Sequence, residues 1–293
     1  MVARGKVLDA LLAMQRMSWE QGVAAQAVHD LGRSGLARLM AADAVVRQAP
    51  DGRLGGADDN AVNGGACGET ALRYGFAEAA DRQLDWLLHR APRAADGTLY
   101  HVLGSTEVWA DTVYMVVPFL AMAGHPDEAV RQVAGHRTRL CREDLYSAVT
   151  DRRPERWGGG NGWVVAGIAR AVRLAPSLRD TWLPQHAREV LDACLRLRRP
   201  DGLFHDVLDD PATFRETNAA QMLAYAALTG TADGWLPPAY ADTGRDLLAA
   251  ASREIDEDGL VQGACGSPTF DHPGVSPEAQ AFHLLATAAL GDR

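Results

Sequence analysis

Apolar positions along this chain recur with the 3.6-residue period of an amphipathic helix over most of its length. Strong segments fall near residues 17–33, 35–49, 65–74, 76–90, 107–123, 126–141, 161–175, 180–198, 214–229, 238–254 and 276–290, and a weaker one near 5–14 makes twelve. Two kinds alternate. Stretches such as 163–169 and 218–226 are apolar or small on most faces, whereas 188–196 carries many charges. A helix that is apolar nearly all round is buried on two sides, and a charged amphipathic one faces solvent. Six inner helices alternating with six outer ones predict an all-α fold, an (α/α)6 barrel, with residues 1–293 as a single domain. An open solenoid shares this period but ends on polar capping helices. The last segment here is as apolar as the middle ones, which favours closure.

Brief strand-like stretches punctuate the helices, each at a recurring turn signature. The copies begin at Asp51-Gly52, Asp96-Gly97, Asp201-Gly202 and Asp258-Gly259, with a fifth at Asp144-Leu145 that has lost the glycine. Their spacings of 45, 48, 57 and 57 residues match two helices plus loops. Each copy leads toward the next inner helix, so the signature predicts a mouth ringed by His101, Ser147, His205 and Gln262.

Composition narrows the function. A net charge of −9 without a basic cluster argues against nucleic acid as the partner. No apolar run is long enough for a transmembrane span, which argues against a membrane partner. Residues 1–6 are not followed by the apolar region of a secretory signal, so a cytoplasmic protein is expected, as a monomer or homodimer acting on a small molecule. Cys67, Cys141, Cys194 and Cys265 lie far apart with no metal-ligand spacing, so they read as reduced, partly buried thiols. No metal is expected. No glycine-rich phosphate loop follows a strand, so no nucleotide cofactor is expected either.

Chemistry is concentrated where inner helices begin, because their free N–H groups and positive dipole ends converge on one mouth. Asp111 reads either as a helix-start residue or as a general acid/base beside Trp109. Asp58 and Asp59 read as turn residues or site carboxylates. His101 and His205 share one phase of the repeat, which suggests a common lining role. Trp109, Trp157 and Trp163 offer flat faces for a sugar ring, and Gly158 to Gly160 either allow a ligand close to the backbone or form a plain connector. Asn161, Glu216 and Asn218 complete the polar set at these helix starts.

Several motifs together resemble the unsaturated uronyl hydrolases of glycoside hydrolase families 88 and 105, above all the unsaturated rhamnogalacturonyl hydrolases. They are Trp109-Ala110-Asp111-Thr112 with Tyr114-Met115 and Pro118-Phe119-Leu120, then Gly160-Asn161-Gly162-Trp163. Asp201-Gly202-Leu203-Phe204-His205, Glu216-Thr217-Asn218 and Ser276-Pro277-Glu278-Ala279-Gln280-Ala281-Phe282 follow in the same order. The resemblance implies an (α/α)6 barrel and an unusual reaction, the addition of water across the C4=C5 double bond of a terminal unsaturated uronyl residue. It implies Asp111 as general acid/base and a second site Asp within 58–63, with Asp59 favoured over Asp58.

Two positions depart from the family pattern. Gly159 stands where relatives commonly carry an Arg near the substrate, and Ser147 where a substrate-lining His is common. Both lost residues are natural partners for a carboxylate. Three readings therefore stand side by side: a hydrolase of unsaturated uronides, a repurposed barrel enzyme (isomerase, cyclase or lyase) on a non-uronate alkene, and a non-catalytic carbohydrate-binding protein.

Overall fold

A computed structural model describes residues 2–151, 155–266 and 270–291. In its first half lie α1 (Val2–Met14), α2 (Ser18–Asp30), α3 (Ser34–Val46), α4 (Gly65–Arg73), α5 (Ala77–Asp85), α6 (Thr112–Met122) and α7 (Pro126–Leu140). Then come α8 (Gly158–Leu174), α9 (Leu183–Arg196), α10 (Asn218–Ala232), α11 (Ala239–Ser252) and α12 (Pro277–Ala289). The even-numbered helices form the inner ring, each packed on the next, and α12 returns to pack on α2. That last contact closes the barrel, as the apolar final segment requires. Burial separates the two layers: α2 buries ten of its 13 residues, α3 only four. Small residues let the inner helices approach closely. A Cβ on Gly22 would come within 2.5 Å of the Ala66 backbone, and one on Gly167 within 2.9 Å of Tyr114.

The turn signature is one structure used four times. The backbone N–H groups of Ala49, Ala94, Arg199 and Asp256 each donate to the carbonyl four residues on, at 2.8–3.0 Å. Gly52, Gly97, Gly202 and Gly259 sit inside these turns at φ between +89° and +100°, a region that side chains avoid. In three copies the Asp carboxylate accepts the N–H two residues on: Asp51 from Arg53, Asp96 from Thr98, Asp201 from Leu203, each at 3.1 Å. The glycine-less copy is a tight hairpin between β1 (Cys141–Arg142) and β2 (Leu145–Tyr146). Glu143 and Asp144 take positive φ there, which the local twist of a two-residue hairpin demands.

Two further hairpins, β3 (Phe204–His205) with β4 (Arg215–Glu216) and β5 (Ala264–Cys265) with β6 (Pro273–Gly274), also lie at the mouth. Single bridges join successive loops: Asn60 to Val102, Trp109 to Val149, Trp157 to Val207. This belt moves helix starts away from where periodicity places them. Trp109 pairs with Val149 and Ala110 donates to Ala148, which ties the chain ahead of the helix to the next loop, so α6 begins only at Thr112. Residues 214–217 belong to the β3–β4 hairpin and its exit, so α10 begins at Asn218. Gly158 to Gly160 are neither connector nor loop; they are the first turn of α8.

At the opposite end Arg170 of α8, 2% exposed, ties four inner helices together. Its guanidinium grips both carboxylate oxygens of Glu69 on α4 at 2.5 and 2.8 Å, Asp30 on α2 at 2.9 Å and the Tyr225 hydroxyl on α10 at 3.1 Å. A cation is favoured at this end, where the inner helices' carbonyl ends converge. A cavity of about 850 Å³ opens beneath this cluster. No described helix is long and apolar enough to cross a membrane.

Candidate active site

A cavity of about 150 Å³ lies at the mouth, where the inner helices begin. Its walls are mostly aromatic: Trp19 from α2, Trp109 ahead of α6, Trp157 and Trp163 at the start of α8, and Phe270. Met115, Asn60, Asn63, His101, Asp111 and Glu278 complete the lining.

Asp111 sits immediately before the first turn of α6. Its side chain is 17% exposed, but Oδ1 is buried and accepts no hydrogen bond. Burial pushes its carboxyl above the usual range, against the pull of the facing His101 and of its own and Thr112's backbone N–H. His101, 3% exposed, has Nδ1 at 3.5 Å from that oxygen, while the same nitrogen is hydrogen-bonded to the Thr112 hydroxyl at 2.8 Å. Burial pushes the imidazole below its usual value, opposed by Asp111, so burial outweighs the mutual attraction in both partners. The His101 ring lies flat on Trp109, centroids 4.5 Å apart and planes 11° apart, and the Trp109 Nε1 donates to Glu107 at 3.0 Å. The cavity thus presents a protonatable carboxyl, a neutral imidazole and flat apolar walls.

Of the sequence candidates, Asp111, His101, Trp109, Trp157 and Trp163 meet in this cavity. The others do different work. Asp58 turns inward to its own loop, accepting the Asn60 N–H at 2.9 Å, with the Ser18 hydroxyl at 3.4 Å and Arg53 at 3.7 Å. Asp59 is exposed and is not in the lining; its backbone carbonyl accepts the Leu103 N–H. Asn161, wholly buried, gives its amide to the backbone, accepting from Tyr146 N–H at 2.8 Å and donating to the carbonyls of Tyr146 and Trp157. Glu216 is wholly buried beneath α10 and accepts the N–H groups of Asn218, Ala219 and Cys265. Asn218 accepts from Gln221 at 3.2 Å. His205 lies outside the cavity against Arg199, at 3.0 Å, and the Thr213 carbonyl. These placements share a cause: residues that cap and brace helix starts are the same polar types that bind sugars. The expected ring of turn tips reduces to His101, because Gln262 is exposed and bonded to Asp256, and Ser147 is not in the lining.

Trp157 explains the glycine run. A Cβ on Gly159 would stand 2.9 Å from its indole, and one on Gly160 2.8 Å from the same ring. The ring lies on the bare backbone of the first turn of α8 and forms a cavity wall there.

Asn60 and Asn63, from the same polar stretch as Asp58 and Asp59, reach the lining; Met115 and Glu278 stand in the family motifs without a site role of their own, and Trp19 and Phe270 are not singled out by the sequence. Trp19 had a usable signal, an aromatic residue at the start of an inner segment, like Trp163. Glu278 was hidden by its setting, since Ser-Pro-Glu is ordinary helix-start chemistry. The four cysteines are unpaired, and burial raises every thiol, Cys67 to about 12 and Cys141 to about 11. None is set up as a nucleophile. Among the described residues no cluster of three or more His, Cys, Asp or Glu is placed to hold a metal ion.

A closed double ring of helices thus holds a carboxyl among aromatic walls at its mouth. The chain belongs to Glycosyl Hydrolase Family 88, whose family model matches residues 70–278. It is 28% identical over 230 residues to an unsaturated rhamnogalacturonyl hydrolase of Bacillus subtilis, a match spanning 68% of this chain and 65% of that relative. In fold it is similar to a possible member of glycoside hydrolase family 105 from Salmonella enterica, with a TM-score of 0.83, 20% identity and coverage of 99% and 93% of the two chains. It is also similar to an unsaturated glucuronyl hydrolase from a Bacillus species, with a TM-score of 0.73, 15% identity and coverage of 98% and 94%. The loop carrying Asp58 and Asp59 lies ahead of the family match.

Proposed function

We propose that this protein is a glycoside hydrolase that hydrates the C4=C5 double bond of a terminal unsaturated uronyl residue on a small oligosaccharide, with Asp111 as general acid/base. One observation carries the reading: Asp111 offers a buried oxygen without a hydrogen-bond partner inside an aromatic cavity. A raised carboxyl holds a proton at a pH where an ordinary Asp has lost it. Asp111 gives that proton to C4 of the vinyl ether, and its conjugate base accepts a proton from the water that bonds to C5. The hemiketal so formed opens to a keto sugar and releases the neighbouring sugar. His101 and Thr112 hold the carboxyl's surroundings, and the tryptophan faces suit the C–H faces of a sugar ring. The name of the Bacillus subtilis relative supports an unsaturated rhamnogalacturonyl substrate. In a scaffold, a buried ionisable group without a partner only costs stability, which speaks against a purely binding role. A second reading, a repurposed enzyme acting on a non-uronate alkene, is favoured by one feature. No Arg or Lys is among the described residues lining the cavity, so a uronate carboxylate meets no cation there.

The test is the ultraviolet absorbance of an unsaturated rhamnogalacturonan disaccharide, which disappears as the double bond is hydrated. Loss with the wild type and none with Asp111→Asn is the expected result. An equally fast Asp111→Asn enzyme overturns the assignment, and a wild type inert on unsaturated uronides favours the second reading.

A further inference from the structure

Glu278 lies in the first turn of α12, behind the helix-capping Ser276, whose hydroxyl accepts the Ala279 N–H at 3.2 Å. Its side chain is 3% exposed and lines the same cavity as Asp111. Its Oε2 is buried and has no hydrogen-bond partner. A buried carboxylate oxygen in that position is costly, whereas a carboxylic acid there has an O–H to give and a cavity to give it into. The groups facing it favour the acid form. Burial pushes the carboxyl up to about 8; Glu20 of α2 and Glu216 ahead of α10 add like charge, against the pull of its own N–H and of Ser276. Asp111 is also raised and His101 is held neutral, so neither supplies a cation to reverse this.

We propose that Glu278 is a second ligand-contacting residue of this site, which in its acid form donates a hydrogen bond from Oε2 to an acceptor oxygen of the bound substrate. It supplies a donor in a cavity where the described lining residues include no Arg or Lys. The substrate used in its test rests on the function proposed above; the protonation of Glu278 does not.

Two variants separate donor from charge. Glu278→Leu removes the donor and lowers kcat/KM about tenfold. Glu278→Gln restores a neutral donor and recovers most of that loss at neutral pH. Thermal melting checks that both variants fold. A Gln variant as impaired as the Leu variant overturns the proposal. Infrared difference spectra test it without turnover. A protonated-carboxyl C=O band should be present at neutral pH, absent from Glu278→Gln, and shifted when the unsaturated disaccharide binds Asp111→Asn. Absence of that band overturns the Glu278 proposal even if the enzyme hydrates the substrate. A wild type that turns over no unsaturated uronide while keeping the band sinks the proposed reaction instead.

Discussion

His101 and Asp111 face each other at 3.5 Å without forming an ion pair, because the His101 Nδ1 is already hydrogen-bonded to the Thr112 hydroxyl and burial keeps the imidazole neutral. The carboxyl is thereby left with an open oxygen. Were His101 protonated, it would hold Asp111 as the anion and remove the proton that the reaction needs.

Replacing Asp111 by Asn removes the proton but keeps the shape. Turnover should fall about 10²–10⁴-fold, the usual contribution of a positioned acid/base. Thermal stability should be unchanged or higher, since a buried unpaired carboxyl is lost. Steady-state kinetics and a melting curve check both.

Thr112→Val takes away the partner of His101 Nδ1 at nearly constant volume. The imidazole then turns its polarity to Asp111, which favours the ionised carboxyl. The pH profile of kcat should shift to lower pH and kcat at neutral pH should drop about tenfold. A profile that stays in place shows that Thr112 does not hold the imidazole off the carboxyl.

Gly159→Ala places a Cβ 2.9 Å from the Trp157 indole, and the ring must leave the wall of the cavity. A cost of about 1–3 kcal/mol is expected from overpacking. Urea denaturation should show that loss, and kcat/KM should fall with it; a stable, fully active alanine variant would show that Trp157 has room to move.

Asn161→Leu leaves the Tyr146 N–H and two carbonyls without their side-chain partner inside the wall of the barrel. Each unmet group costs about 1–3 kcal/mol, so stability should fall well beyond what one surface substitution causes. Whatever activity remains in the folded fraction should keep its KM, because this amide faces the backbone and not the cavity. A raised KM in folded protein would restore Asn161 to the substrate site.

Stability should peak near neutrality. His136, His186 and His283 are lowered from 6.5 to about 4 by burial, so the unfolded chain binds more protons than the folded one in that range and stability falls as pH drops through it. Glu216 and Glu278 are raised from 4.5 to about 7 and about 8, so the folded chain holds the extra protons and stability falls as pH rises through that window. The histidine steps outweigh the glutamate steps below about 6.5, and only the glutamate steps continue above it. Denaturation midpoints measured across this range check the shape; a midpoint still rising past about 8 would contradict it.

Much of the fold was legible because helix burial leaves a period. Stretches 163–169 and 218–226 proved to be inner helices and 188–196 an outer one, as their polarity requires. Asp111 was legible at a helix start within an aromatic setting. Helix starts themselves were misjudged where backbone pairing between distant loops competed with helical period, as at 107–111 and 214–217. The polar candidates were less legible, since Asn161 and Glu216 carry the side chains of a sugar site and bond them to backbone N–H and carbonyl groups.

By itself, the sequence determined the alternation of inner and outer helices, the repeated Asp-Gly turns and the set of residues available at the mouth. These depend on local periodicity and on backbone conformations that only certain residues adopt. Tertiary structure decided which of those residues share a cavity. His101 and His205 hold the same place in the repeat, yet one faces Asp111 and the other Arg199. Glu278, from the last helix, reaches the cavity of Asp111 only because the ring closes. Which atoms lose water and find no partner depends on contacts between segments far apart in the chain, and no local pattern encodes that.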